Sequence, residues 1–180
     1  MISMMKKFFF LPMSRGFFLL AALLVLPALA VAQTPYSLGS YTDWNVWEVT
    51  ENGQKICFVV SEPKKQTGNY TRRGKPAILV ARRPVPTVTD EVSVQPGYNY
   101  LQGSNVSVSV GGKVFTLFNR GGPHAWTKND EEDRELIDAM RRGDAMIVEG
   151  ESSKQTTSTD TYSLLGFTKA YNAMVAACSG

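Results

Sequence analysis

The stretch NVSVSVGGKVFTLF, residues 105–118, carries the clearest structural pattern in this 180-residue sequence. Val106, Val108 and Val110 alternate with serine. Because successive side chains of a β-strand point to opposite faces, this alternation predicts a strand with one buried and one solvated face. Gly111-Gly112 then predicts a tight turn into a second strand over residues 114–118. The stretch therefore indicates an antiparallel hairpin.

More strands are predicted on both sides of this hairpin. DWNVWEV and KICFVVS are joined by the turn signal Asn52-Gly53, which predicts a hairpin over residues 43–61. AILVARRP and DEVSVQ predict two strands before the central hairpin, and AMIVEGES and TDTYSL predict two after it. Six to eight short strands without strand–helix alternation favour an antiparallel β-sandwich over a parallel sheet.

Two helices are predicted late in the chain. The first begins after Asn129, a good N-cap residue, with Glu132 three residues on as in a capping box. It has an acidic first turn, ends at Gly143, and has an apolar stripe formed by Leu136, Ile137 and Met140. The second helix, GFTKAYNAMVAACS, places four side chains on one face: Phe167, Tyr171, Met174 and Cys178.

The first 32 residues predict a secretory signal peptide. Lys6, Lys7 and Arg15 precede an uncharged apolar run that ends in Ala30-Val31-Ala32, which indicates cleavage before Gln33. A retained membrane anchor is the alternative, but the run is shorter than the roughly 20 residues that a stable span needs. We therefore expect a mature chain of residues 33–180 that folds as one domain, with no membrane span after cleavage.

Loss of the leader removes the apparent basic character of the chain. The whole sequence has 19 basic and 16 acidic residues, and three of the basic ones lie in the leader. The mature part is thus neutral overall, so its charge gives no reason to expect a nucleic-acid partner. Both cysteines, Cys57 and Cys178, lie in the mature part. In an exported chain they favour an intramolecular disulfide, with a free buried thiol or an intermolecular bridge as alternatives.

Catalysis would require His124, the only histidine in the sequence. It lies in a loop after Gly121-Gly122-Pro123, with no nucleophile motif beside it. A solvated or capping loop residue is the simpler interpretation, and a periplasmic hydrolase that uses His124 remains an alternative. Zinc typically needs several His, Cys or carboxylate ligands in register, so we predict no catalytic, cofactor or metal site.

Two features suggest binding. Residues 52–90 contain eight basic and two acidic residues, whereas residues 130–151 contain three basic and nine acidic. Solvated loops that attract each other are the favoured interpretation, because exposed ion pairs contribute little. The alternative is that the basic loop, residues 62–75, docks onto an anionic envelope or host component such as lipopolysaccharide, a phospholipid head group or an acidic protein, through Lys64, Lys65, Arg72 and Arg73. A carbohydrate-binding module is a further alternative, with a stacking platform formed by Trp44, Trp47, Tyr98, Tyr100 and Trp126, although core or near-core positions in the first strand are the favoured interpretation of Trp44 and Trp47.

Several stretches of the sequence, taken in order along the chain, resemble those of a known family. They are DWNVWEV with GQKICFVVSEPKK, DEVSVQPGYNY, GSNVSVSVGGKVFTLF, LIDAMRRGDAMIVEGES and TDTYSLLGFTKAYNAMVAAC. Over Tyr41 to Cys178 the chain is similar to the invasion-associated locus B family of exported bacterial proteins. The resemblance implies an immunoglobulin-like antiparallel β-sandwich in the periplasm or envelope, with a part in host-cell invasion for some members. It supplies no catalytic residue, matches Cys57 and Cys178, and leaves GGPHAW, with His124, as a local variation.

Overall fold

The computed structural model describes residues 34–83 and 89–179, so the predicted leader lies outside the described residues. Within these ranges the chain forms eleven strands and two helices. The strands are β1 (Tyr36–Tyr41), β2 (Trp44–Glu51), β3 (Gln54–Ser61), β4 (Lys65–Gly68), β5 (Ala77–Arg83), β6 (Thr89–Gln95), β7 (Asn105–Val110), β8 (Lys113–Asn119), β9 (Ala125–Trp126), β10 (Ala145–Glu151) and β11 (Thr157–Ser163). The helices are α1 (Asp130–Arg142) and α2 (Phe167–Ala177).

All eleven strands belong to one antiparallel sheet with the order β1-β2-β3-β5-β6-β9-β8-β7-β10-β11-β4. The mainly-β class, the antiparallel pairing and the two late helices are therefore confirmed. The ladder is an open, continuous sheet rather than two separately hydrogen-bonded layers, because the short strand β9 pairs with both β6 and β8. The indole Nε1 of Trp44 in β2 donates to the carbonyl of Ser163 in β11 at 3.1 Å, so strands far apart in the sheet order meet.

One face of the sheet is buried in every strand except the edge strands β1 and β4. The register aligns one buried valine row across four strands: Val46, Val59, Val80 and Val92. A second row crosses β8, β7 and β10 through Phe115, Val108 and Val148. Both rows belong to a single core with the apolar faces of α1 and α2. The alternation of valine with serine thus correctly predicted that Val106, Val108 and Val110 enter this core.

The predicted central hairpin is present as β7 and β8. Val106 pairs with Leu117 and Val108 with Phe115, and all four side chains are buried. Gly111 and Gly112 have φ of 56° and 83°, the left-handed conformation that a two-residue hairpin turn requires. A residue with a side chain would be strained at either position.

Helix α1 begins as predicted and ends for a different reason. The Asn129 side chain accepts hydrogen bonds from the backbone N–H of Glu131 and Glu132 at 3.1 and 3.0 Å. Gly143 caps the C-terminus in an extended conformation, not a left-handed one. A Cβ there would lie 2.7 Å from the Val110 side chain, so close packing against β7 is what requires glycine. Asp133, one of the acidic residues of the first turn, is buried and accepts from the Val92 N–H at 2.8 Å.

A disulfide joins Cys57 in β3 to Cys178 at the end of α2, across 121 residues of sequence. Both residues are buried, and their Cα atoms lie 6.0 Å apart. At the other end of α2, the Phe167 ring packs against Trp44 with centroids 4.7 Å apart. The last helix is therefore fixed to the sheet at both ends, by an aromatic contact and by a covalent bond.

Candidate functional site

A cavity of about 340 Å³ opens beside β4, the strand at one edge of the sheet. Three segments line it: residues 69–73 after β4, residues 98 and 99 after β6, and the turn between β10 and β11, residues 152–154 and 156. We call this cavity the edge pocket. Its lining contains three basic side chains and no acidic one; the basic ones are Arg72, Arg73 and Lys154.

Arg73 holds the first of these segments in place. Its guanidinium donates to both carboxylate oxygens of Asp160 in β11, at 2.9 and 2.7 Å, and to the carbonyl of Pro96. The side chains of Arg73 and Asp160 are only 4% and 2% exposed. A buried pair of this kind needs its remaining donors satisfied, and the Pro96 carbonyl accepts from Nε at 2.9 Å. The pair therefore fixes the loop after β4 against β11.

Two tyrosine rings enclose the same guanidinium. The Arg73 Cζ atom lies 5.1 Å from the ring centroid of Tyr70 and 5.4 Å from that of Tyr98, both within the range of cation–π contacts. The Tyr98 hydroxyl donates to the Gly150 carbonyl at 3.0 Å and lies 2.7 Å from the Ser158 hydroxyl. Burial raises the pKa of Tyr98, so its hydroxyl stays protonated and available as a donor.

Glycines permit the close approach of these loops. Gly97 has φ of +79°, and a Cβ there would lie 2.3 Å from the carbonyl oxygen of Gly74. The Gly74 N–H donates to the Gly97 carbonyl at 2.8 Å, which joins the loop after β4 to the loop after β6. Gly68 has φ of +153°, and a Cβ there would lie 2.6 Å from the Tyr70 ring. The pocket wall therefore depends on backbone contacts that side chains would prevent.

The third segment places Lys154 at the pocket. The Ser152 hydroxyl accepts from the backbone N–H of Lys154 and of Thr156, at 3.3 and 3.1 Å. The Ser153 N–H donates to the Asn99 carbonyl at 2.8 Å, so this turn is attached to the segment after β6. Lys154 itself is exposed, and it was missed by the sequence reasoning because it is an isolated lysine in a polar loop.

One of the comparisons with known proteins identifies a family. The family described as invasion associated locus B (IalB) protein matches residues 44–175. The chain belongs to the invasion-associated locus B family. It is also similar in fold to the crystal structure of invasion associated protein B from Bartonella henselae, with 17% sequence identity and a TM-score of 0.56, over 81% of this chain and 99% of that chain. No curated protein matches. The predicted resemblance is therefore confirmed, and the likeness to the Bartonella protein is one of fold.

Within this member of the locus B family, the four basic residues singled out from the sequence occupy different environments. Lys64 forms an ion pair with Asp43, and the hydrogen bond from Lys64 is the main reason that the pKa of Asp43 is lowered. Lys65 is exposed at the start of β4, and Arg72 is exposed at the edge pocket. The prediction that Arg73 is a docking residue is wrong, because its side chain is buried and forms an ion pair with Asp160.

The predicted aromatic platform is also wrong as a single surface. Trp44 and Tyr100 are fully buried in the core, and Trp44 uses its indole N–H on Ser163. Trp47 and Trp126 lie on the face of the sheet opposite the core, as their alternation with buried Val46 and Ala125 indicates. Of the five residues, Tyr98 alone lines the edge pocket.

His124 has one aromatic neighbour and no catalytic partner among the residues that the structure describes. Its ring stacks on Trp126 with centroids 5.7 Å apart and an interplanar angle of 29°. In residues 34–83 and 89–179 no hydrogen bond joins His124 to a carboxylate or a hydroxyl, and no cluster of three or more potential metal ligands occurs. In the described part of this locus B family member, the stacking on Trp126 is thus the contact that positions the His124 ring.

Proposed function

We propose that the chain is an exported, disulfide-bonded, non-catalytic binding protein of the bacterial periplasm or envelope. It engages an anionic envelope or host component through the edge pocket and the adjacent basic residues. The single observation that carries this proposal is the lining of the edge pocket, which presents two exposed basic side chains, Arg72 and Lys154, and no acidic one. Any contribution to host-cell invasion or envelope integrity follows from that binding.

Export is supported by the composition of the first 32 residues and by the disulfide. Structural disulfides persist in oxidising compartments such as the bacterial periplasm. None of the helices among the described residues is long and apolar enough to cross a membrane. N-terminal sequencing of protein recovered from periplasmic extracts should begin at Gln33, and recovery of the intact leader from the cytosol would contradict export.

Binding rather than catalysis is supported by the kinds of groups around the pocket. Its hydroxyls belong to serine, threonine and tyrosine, and no histidine or carboxylate lines it to act as a base. The one buried carboxylate nearby, Asp160, is occupied by Arg73. A site of this composition can hold an anion, and it contains no histidine–carboxylate pair.

Charge reversal tests the proposal. We expect Lys65→Glu/Arg72→Glu to weaken retention on isolated envelope fractions by at least about tenfold at low salt, because each basic side chain near an anionic surface contributes about 1 kcal/mol. Arg73 is left unchanged, since its loss would disturb folding. Arg134→Glu/Lys169→Glu, two exposed helix positions, is the control with the same change in net charge.

The wild-type protein and the control should be retained alike, and added salt should release both, because salt screens exposed charges. Equal retention of the Lys65→Glu/Arg72→Glu variant would contradict binding through this surface. Absence of wild-type retention on every envelope fraction and host-cell surface tested would contradict the proposed function itself.

A further inference from the structure

We propose that the edge pocket binds an anionic sugar, that is, a single sugar ring bearing a carboxylate or a phosphate. The inference rests on the proposed function and names the chemical group that the pocket recognises. Such groups are carried by glycolipids and acidic polysaccharides. The argument uses three properties of the pocket: its unpaired cations, its polar and aromatic lining, and its size.

The charge of the pocket is available to a ligand. Arg72 and Lys154 are exposed, lie on different segments of the lining, and form no ion pair with any described residue. Arg73 is already neutralised by Asp160. An anionic group between the two exposed cations would be held from two loops at once, and charge-assisted hydrogen bonds of this kind are stronger than neutral ones.

The remaining lining suits a polyhydroxylated ring. Side-chain amides and hydroxyls supply both donors and acceptors, from Asn69, Asn99, Thr71, Ser153 and Thr156. The half-buried ring of Tyr70 supplies an apolar face, and it is kept in position by the backbone of Gly68 and the guanidinium of Arg73. Ring and polar groups are thus arranged before a ligand arrives.

Size and composition argue against other small ligands. The cavity, about 340 Å³, lies at the lower end of the roughly 300–1,000 Å³ range of small-molecule sites, which fits a monosaccharide. The lining contains no aliphatic residue, and its apolar surface comes from tyrosine rings and the carbon atoms of polar side chains. An acyl chain would leave the surrounding amides, hydroxyls and exposed cations without hydrogen-bond partners. An acidic sugar group is therefore favoured over a lipid tail.

The test is a titration of the isotope-labelled mature protein, followed by backbone amide chemical shifts. The probes are glucose 6-phosphate, glucuronate, glucose and inorganic phosphate. Comparing glucose 6-phosphate with glucuronate distinguishes a phosphate from a carboxylate. Comparing either of them with glucose tests the need for a charge, and comparing glucose 6-phosphate with inorganic phosphate tests the need for the sugar ring. We expect glucose 6-phosphate or glucuronate to shift amides in residues 69–73, 98–99 and 152–156, with a dissociation constant of about 1 mM for a ligand this small.

The variant Arg72→Glu/Lys154→Glu should weaken this binding by about tenfold or more, whereas Arg134→Glu/Lys169→Glu should leave it unchanged. Equal shifts with inorganic phosphate would contradict recognition of a sugar ring. Equal shifts with glucose would contradict the requirement for an anionic group. If no probe shifted any amide, the edge pocket would not be a sugar-binding site. If the probes fail while Lys65→Glu/Arg72→Glu still loses envelope retention, this inference falls and the proposed function stands.

Discussion

Two regions of the molecule each contain an arginine–aspartate ion pair, and the two pairs have different structural roles. In one, Arg82 of β5 makes a bidentate pair with Asp90 of β6 at 2.7 and 2.6 Å, and the Tyr171 hydroxyl of α2 donates to the same carboxylate at 2.5 Å. In the other, Arg73 pairs with Asp160 beside the edge pocket, between the rings of two tyrosines. Each region contains an arginine, an aspartate and tyrosine.

The difference lies in what the pair holds. The Arg82–Asp90 pair attaches α2 to the sheet, one strand away from the disulfide at Cys57. The Arg73–Asp160 pair attaches a loop, and the neighbouring segments leave a cavity lined by two further cations. The first pair is 13% and 10% exposed, the second 4% and 2%. The more buried pair thus belongs to the region that we assign to binding, where it keeps the lining of the pocket in place.

The largest expected effect comes from removing one partner of each pair. Asp160→Ala should lower the free energy of unfolding by about 3–5 kcal/mol, because it leaves the Arg73 charge buried and unpaired. Asp90→Ala should cost less, about 1–3 kcal/mol, because Arg82 lies nearer to solvent. Urea denaturation compares the two, with Arg134→Ala on the exposed face of α1 as the control. An equal or greater loss for Asp90→Ala would contradict the comparison.

Removal of the disulfide should loosen the helix region more than the pocket region. Cys57→Ala/Cys178→Ala should lower the free energy of unfolding by about 2–4 kcal/mol, chiefly by releasing the entropy of a long loop in the unfolded chain. Hydrogen exchange of the α2 amides should accelerate more than that of the pocket segments 69–73 and 152–156. Equal acceleration in both would show that the two regions are not independent.

Hydroxyl removal sharpens the comparison further. Tyr98→Phe should cost about 1–3 kcal/mol, because the Gly150 carbonyl and the Ser158 hydroxyl both lose their partner in the sheet interior. Tyr171→Phe should cost about 1 kcal/mol, because Asp90 keeps both hydrogen bonds from Arg82. Thermal or urea denaturation measures both changes, and a larger effect for Tyr171→Phe would reverse the assignment of the two regions.

The sequence predicted the core well because burial leaves a periodic pattern. The alternation in β7, the apolar stripe of α1 and the placement of Cys178 on the buried side of α2 all follow from that rule. Three strands were missed for the same reason. Every residue of β4 is exposed, β9 has only two residues, and β1 has no buried residue. Without burial there was no period to detect.

The pocket could be predicted only in part. The excess of basic residues pointed to the loop after β4, and Arg72 does lie at the pocket. Local sequence could not separate Arg72 from its neighbour Arg73, because the difference depends on Asp160, 87 residues further along the chain. Lys154 lies at the same pocket because a second long-range contact, a backbone hydrogen bond, joins the loop after β10 to the loop after β6. Charge composition thus identified a segment, and tertiary contacts decide which of its charges is available.

The smallest expected effect is a difference between two aspartates in how their contribution to stability changes with pH. Burial raises the pKa of Asp133 beneath β6, whereas the hydrogen bond from Lys64 lowers the pKa of Asp43. Because the pKa of Asp133 is raised in the folded state, this residue stabilises the fold at pH values below the ordinary aspartate pKa. That stabilisation is lost as the pH rises through the pKa that Asp133 has in the folded protein. For Asp43 the sign is opposite: its contribution is present above that range and is lost on acidification.

Denaturation of the wild-type protein, Asp133→Asn and Asp43→Asn between acid and neutral pH measures this difference. The deficit of Asp133→Asn relative to wild type should be greatest at acid pH and shrink towards neutrality, because the wild-type carboxyl is then ionised in a buried place. The deficit of Asp43→Asn should shrink in the other direction, and should fall with added salt, because its partner Lys64 is exposed. If both deficits moved the same way with pH, burial would not be what distinguishes the aspartate under the sheet from the one at its edge.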